Sequence, residues 1–263
     1  MAVPLSISLD EILFQLALTG PQGELTAPMK ALFWGEGAGG ISSFVAGWVA
    51  GRGIGVIVLD GANRFDPYRV TSFARSAFIP PERLLKNIRI ARAFTCYQMA
   101  TLIGEKLPLL LEQEGAIQPE SFPFPFRRSS RKPWVILLGP VTPFLDEDVP
   151  DKEIGPLFER ALKKVEGMAS KGVSFLLFQP SIPSNSKRGY LAKRLFQFSD
   201  LIWRIQLEDQ GLNIVPLKEL NYRDIPGGRL YGSLVTAKEG TKSQVPIVKQ
   251  MAKTPMTDIP GTK

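Results

Sequence analysis

The chain has 263 residues, 44% hydrophobic and 22% charged, and a net charge of +7. It contains no histidine and one cysteine, Cys96, which excludes His-based triads, His-ligated zinc and an internal disulfide. A reducing, cytoplasmic setting is expected, and a chain this long buries roughly 75% of its unfolded surface without cross-links.

Residues 1–20 carry Ile12, Leu13, Leu16 and Leu18 behind Asp10 and Glu11. That pattern suits a short amphipathic helix packed on the body and does not read as a secretory signal. No apolar run reaches the ~18 residues of a membrane span, so no membrane partner is expected. The apolar run Ala31-Leu32-Phe33-Trp34 precedes a glycine-rich turn, and a helix-like stretch follows from Ser43 to Ala50. Gly55 to Asp60 is a short, nearly continuous apolar run, as in a strand buried on both faces. Asp66 to Ala77 and Tyr97 to Leu111 read as helices. Residues 115–132 form an irregular Pro-, Phe- and Arg-rich segment that includes Phe122-Pro123-Phe124-Pro125-Phe126.

Two more buried strands are expected over Pro133 to Leu138 and Val173 to Phe178. Between them Ile154, Leu157, Phe158, Ala161, Leu162, Val165 and Met168 recur at helical spacing, and Gly172 stops that helix. Leu201 to Leu207 and Leu212 to Leu217 read as a hairpin, with a further strand over Arg229 to Thr236. Residues 241–263 have no apolar period and read as a flexible basic tail. The expected fold is one α/β domain over residues 1–240. Its sheet is mostly parallel, flanked by helices, and ends in antiparallel strands.

The run Gly35-Glu36-Gly37-Ala38-Gly39-Gly40-Ile41-Ser42 has the form G-x-x-x-x-G-I-S. A phosphate-binding loop reads G-x-x-x-x-G-K-[ST] between a strand and a helix. The glycines and the hydroxyl are present, and Ile41 stands where the phosphate-pairing lysine belongs.

With VIVLDGANRFDPYRV and PPERLLKNIRIARAFTCYQMATLI downstream, this loop resembles the core of the RecA/RadA recombinase superfamily, which includes KaiC-like ATPases. The resemblance covers roughly residues 20–236 and implies a RecA-like P-loop NTPase core. It places the loop lysine at Ile41, the catalytic glutamate at Ala62 and the metal-supporting carboxylate at Gly139, so all three are replaced. Gln179 alone matches the residue that senses the γ-phosphate. Phosphoryl transfer rests on positioning and charge neutralisation, so hydrolysis is not expected. No catalytic residue or metal is assigned, and no cofactor is required. A vestigial site for weak ATP or ADP binding comprises Gly35, Gly37, Gly39, Gly40, Ser42, Asp60 and Gln179. The alternative is that the glycines serve the turn, while Asp60 and Gln179 serve the fold.

The cations are clustered. Arg127, Arg128, Arg131 and Lys132 form one group, and Lys187, Arg188, Lys193 and Arg194 surround Tyr190 in another. Five lysines lie between Lys238 and Lys263. The resemblance places Pro180 to Asp200 at the recombinases' loop for single-stranded DNA. Cations with an aromatic ring suit backbone tracking and base stacking. The alternative is a solvated loop leading into an amphipathic helix, Tyr190 to Phe198.

Expected partners are single-stranded DNA, a protein partner, or further copies through a RecA-like interface. The expected function is that of a catalytically silent RecA-like protein, a DNA-associated accessory factor in recombination or repair. Two alternatives stand beside it. One is a KaiC-like signalling or scaffold protein acting through protein contacts; the other is an ATPase drawing its cation from Lys218 or Arg223 of an adjacent protomer.

Overall fold

The structure, a computed structural model, describes Leu9 and residues 30–116, 132–183, 186–208 and 211–218. The N-terminal helix, the 115–132 segment from residue 117 to 131, the strand at 229–236 and the basic tail lie outside the described residues.

Five apolar runs form the strands β1 (Lys30–Gly35), β2 (Val56–Asp60), β4 (Trp134–Leu138), β5 (Phe175–Gln179) and β6 (Leu201–Glu208). β3 (Ile88–Arg92) and β7 (Gly211–Lys218) complete a seven-stranded sheet in the order β3-β2-β4-β5-β1-β6-β7. Every neighbouring pair is parallel except β6–β7, which is antiparallel. The protein is therefore α/β, with a mostly parallel sheet and an antiparallel hairpin at its C-terminal side.

β3 is not marked by an apolar run in the sequence. As the outermost strand it buries only Ile88 fully and exposes Arg89, Ile90 and Arg92, so it lacks the signature of a central strand. The preceding segment forms a short helix, α3 (Pro81–Leu85).

Two apolar layers sandwich the sheet. On one face lie α1 (Ala38–Ala50), α2 (Pro67–Ser76) and α3. On the other lie α4 (Cys96–Thr101), α5 (Leu107–Ala116), α6 (Asp151–Ala169) and α7 (Gly189–Phe198). α1 is apolar nearly all round because the sheet covers one side and α2 and α3 cover the other. α4 runs into α5 through a π-helical turn at Leu102–Lys106, where the Leu107 amide bonds to the Leu102 carbonyl. Pro108 explains the wider turn: it has no amide to donate, and its ring would press on the carbonyl of Gly104 in a regular helix.

The centre of the sheet is held by a row of rings across three strands. Phe33 of β1 stacks on Phe178 of β5 at 4.8 Å and on Trp203 of β6 at 5.0 Å. The opposite, N-terminal edge is fastened by Lys30. Its ammonium lies 2.8 Å from Glu166 of α6 and 3.2 Å from Asp200, while Asp200 also accepts the Lys30 amide. No described helix is long and apolar enough to cross a membrane.

Burial alone would lower the Lys30 ammonium, but the bonds to Glu166 and Asp200 outweigh it and raise it above the ordinary 10.5. The folded protein thus holds this proton more tightly than the unfolded chain. The stabilisation is fully present below about pH 10.5 and is lost as pH rises through the raised folded value. Lys30→Met is expected to lower stability at pH 7 by about 1–2 kcal/mol. Denaturant titrations should show that deficit constant between about pH 7 and 9 and shrinking above 10.5.

Candidate functional site

In open parallel sheets, ligands bind beyond the C-terminal strand ends, where successive connections diverge to opposite faces. Here that point lies between β1 and β5. The helix after β1 packs in one apolar layer, and the helix after β5 packs in the other. The ends of β1, β5, β4 and β2 are neighbours, and they carry Gly35, Gln179, Gly139 and Asp60. The fold therefore brings together the positions expected to carry phosphate chemistry.

The glycine-rich turn is tighter than a phosphate-binding loop. Only Glu36 and Gly37 separate β1 from α1, which starts at Ala38 and not at Ser43. Gly35 (φ +128°) lies so close to β6 that a Cβ would run into the carbonyl oxygen of Ile205. Gly37 caps α1 with φ +84°, a left-handed conformation that glycine adopts without strain. The Ile41 amide already bonds to the Gly37 carbonyl at 3.0 Å, so it closes a helical turn and does not converge with the others on an anion. The Ile41 side chain is 7% exposed and packs in the apolar layer under α1.

The polar groups of the site are satisfied internally. Ser42 is fully buried, and its hydroxyl donates to the Gly39 carbonyl at 2.7 Å. Ser43 accepts the Asp66 amide at 2.9 Å and so pins the start of α2. Asp60, fully buried, accepts the amides of Ala62 and Arg64 on one oxygen and that of Phe65 on the other, at 2.9–3.2 Å. Arg92 approaches the same carboxylate at 3.7 Å. Gln179 accepts the Val141 amide at 2.9 Å and donates to the Pro180 carbonyl at 3.0 Å. Both Asp60 and Gln179 thus hold loops in place.

The two positions that the resemblance assigns to carboxylates touch each other. Gly139 has φ +63°, and a Cβ on it would lie 2.6 Å from the Ala62 Cβ and 2.9 Å from its amide nitrogen. Position 139 therefore has no room for a side chain.

The exterior of the turn carries two arginines that the sequence reading did not single out. A Cβ on Gly39 would meet Arg64 at 2.9 Å, and one on Gly40 would meet the Arg69 guanidinium at 3.1 Å. Both glycines make room for these side chains. The available signal was Asn63-Arg64-Phe65-Asp66-Pro67. Asn63 adopts φ +51°, a conformation asparagine tolerates, and Asp66 caps α2 ahead of a proline at its first position.

Arg188 requires a correction, because it is not a solvated cation available to DNA. It is only 5% exposed. Its guanidinium donates to the carbonyls of Phe144, Asp146 and Val149 and pairs with Asp151 at 2.7 Å. A planar five-donor group suits such a loop clamp, and burying it unpaired would be prohibitive. Arg194 is bound by Glu159 through two hydrogen bonds, at 2.6 and 3.0 Å, which push its already high pKa further up. Lys187, Lys193 and Tyr190 remain exposed. Arg127, Arg128 and Arg131 lie outside the described residues.

Cys96 is fully buried, and desolvation raises its thiol, which leaves it a poor nucleophile. Lys218 pairs with Ile202 at the start of β6, the opposite edge of the sheet from Gly35. Arg223 lies outside the described residues.

Neither known protein families nor curated proteins provide a match to this chain.

Gly139→Asp, which would restore the carboxylate, is expected to lower stability by about 3 kcal/mol through the positive φ and the clash with Ala62. Chemical denaturation measures this, and the variant should gain no magnesium-dependent stabilisation. Arg188→Gln is expected to cost about 2–4 kcal/mol in the same assay, because three carbonyls and Asp151 lose their donor.

Proposed function

We propose that this chain is a RecA-like protein that no longer turns over nucleotide and acts by binding, as a DNA-associated accessory factor. The observation that carries the first half is the contact of Ala62 with Gly139, together with the burial of Ile41. A single missing group can be replaced from elsewhere. Here a side chain at position 139 would run into Ala62 and Thr142, and the position of the cation belongs to the apolar layer. The remaining polar groups, Ser42, Asp60 and Gln179, are each bonded within the chain. The resemblance to the RecA/RadA superfamily is supported by the placement of β1, β2, β4 and β5. Their C-terminal ends adjoin in the sheet and carry the residues that the resemblance names.

The second half rests on charge. The net charge of +7 includes exposed cations on more than one face, a distribution suited to a polyanion. Such a protein contributes a surface and not a reaction.

Incubation with Mg-ATP is expected to release no phosphate above a protein-free control. Ile41→Lys should not restore turnover and should lower stability by about 2–4 kcal/mol, because it places an ammonium in an apolar layer. Phosphate release by the wild-type chain, abolished in Ile41→Lys, would overturn the proposal. An anisotropy titration with single-stranded DNA at two salt concentrations tests the DNA association directly.

A further inference from the structure

The helix α2 ends in a way that its own stability does not favour. The Ile79 amide bonds to the Ala74 carbonyl at 2.8 Å and the Phe78 amide to the Arg75 carbonyl at 3.1 Å. These two bonds define a Schellman ending, in which the residue at position 78 must be left-handed and is usually glycine. Here it is phenylalanine, with φ +56°. A bulky residue with positive φ is a genuine outlier, and strain of this kind concentrates at functional sites. The fold gains nothing from the ring, which is 96% exposed. The following residue, Ile79, makes the apolar contact that such an ending needs.

The rest of the outer face of α2 fits the same purpose. Tyr68, Ser72, Arg75 and Ser76 follow one another at helical spacing and are exposed, with Arg69 beside them. Tyr68 is 82% exposed at the start of the helix. Among the described residues, the carboxylate paired with this face is Asp66, the helix cap, which approaches Arg69 Nε at 3.5 Å. Across residues 61–97 the sequence has seven arginines and lysines against two carboxylates. A ten-residue helix is ~15 Å long, which separates the two rings by about two or three extended nucleotides.

We propose that single-stranded DNA lies along the outer face of α2, its bases stacked on Tyr68 and Phe78 and its phosphates paired with Arg64, Arg69 and Arg75. Exposed rings among arginines suit an unpaired strand, whose bases offer their faces; a duplex keeps them stacked internally. The net positive charge of the region selects a polyanion over an apolar protein partner. This surface rests on the DNA association proposed above but not on the Lys187–Lys193 region, and it lies on a different segment of the chain.

The test uses the full chain, a fluorescein-labelled dT20 oligonucleotide and a duplex of the same length, at two salt concentrations. Arg69→Gln/Arg75→Gln is expected to weaken binding to dT20 and to flatten the slope of log K against log salt by about 1.4, the loss of two phosphate contacts. Phe78→Gly should raise the Tm, because it relieves the positive φ, yet weaken binding to dT20 about tenfold. That opposite movement is one a merely structural role would not produce. Wild-type affinity in Phe78→Gly, or an unchanged slope in the double variant, would place the DNA elsewhere and overturn this surface while leaving DNA association standing. Tighter binding of the duplex than of dT20 would overturn the stacking. A wild-type chain that binds neither oligonucleotide would overturn both this surface and the DNA association it rests on.

Discussion

A buried carboxylate must find donors, and Asp60 finds them in the backbone immediately downstream. It accepts three amides from residues 62–65, which forces the chain leaving β2 into one tight loop. That loop sets Ala62 against Gly139, lays Arg64 against Gly39 and delivers Asp66 to the N-terminus of α2. An unpaired carboxylate at this depth would be far costlier than the loop's lost entropy, so the geometry follows from Asp60 with little freedom. The shape of the whole C-terminal edge near β2 depends on this interaction.

The same edge is closed from within. Its polar groups are turned toward the protein. Gln179 bridges from β5 to the turn after β4, Ser42 bonds back to its own helix, and Ile41 joins the apolar layer. These are ordinary consequences of burial, since polar groups away from water must be paired and aliphatic groups gain by leaving it. The replacements support one another. Glycine at position 139 lets the Ala62 loop close, and closure leaves no room for a side chain at position 139.

Charge is arranged by a similar logic. Arginines whose charge the fold needs are buried or doubly bonded: Arg188 clamps the loop after β4, and Arg194 is held by Glu159. Those along α2 are exposed, in a stretch that also exposes Tyr68 and Phe78. The distinction between a structural and an available arginine is one of environment, and composition does not express it.

The sequence by itself determined the sheet's central strands, because a strand buried on both faces must be apolar throughout, as in VIVLD, WVILL and FLLFQ. It also determined α6, whose apolar residues repeat at helical spacing. It did not reveal β3, since an outermost strand has one covered side and no continuous apolar run. Nor did it separate Arg188 from Lys187, because a burial partner such as Asp151 lies 37 residues away. Only the tertiary structure decided that Ala62 and Gly139 meet, that α1 begins early enough to close the glycine-rich turn, and that Phe78 stands strained and exposed. Each of these depends on residues distant in the chain or on a backbone dihedral, and local pattern carries neither.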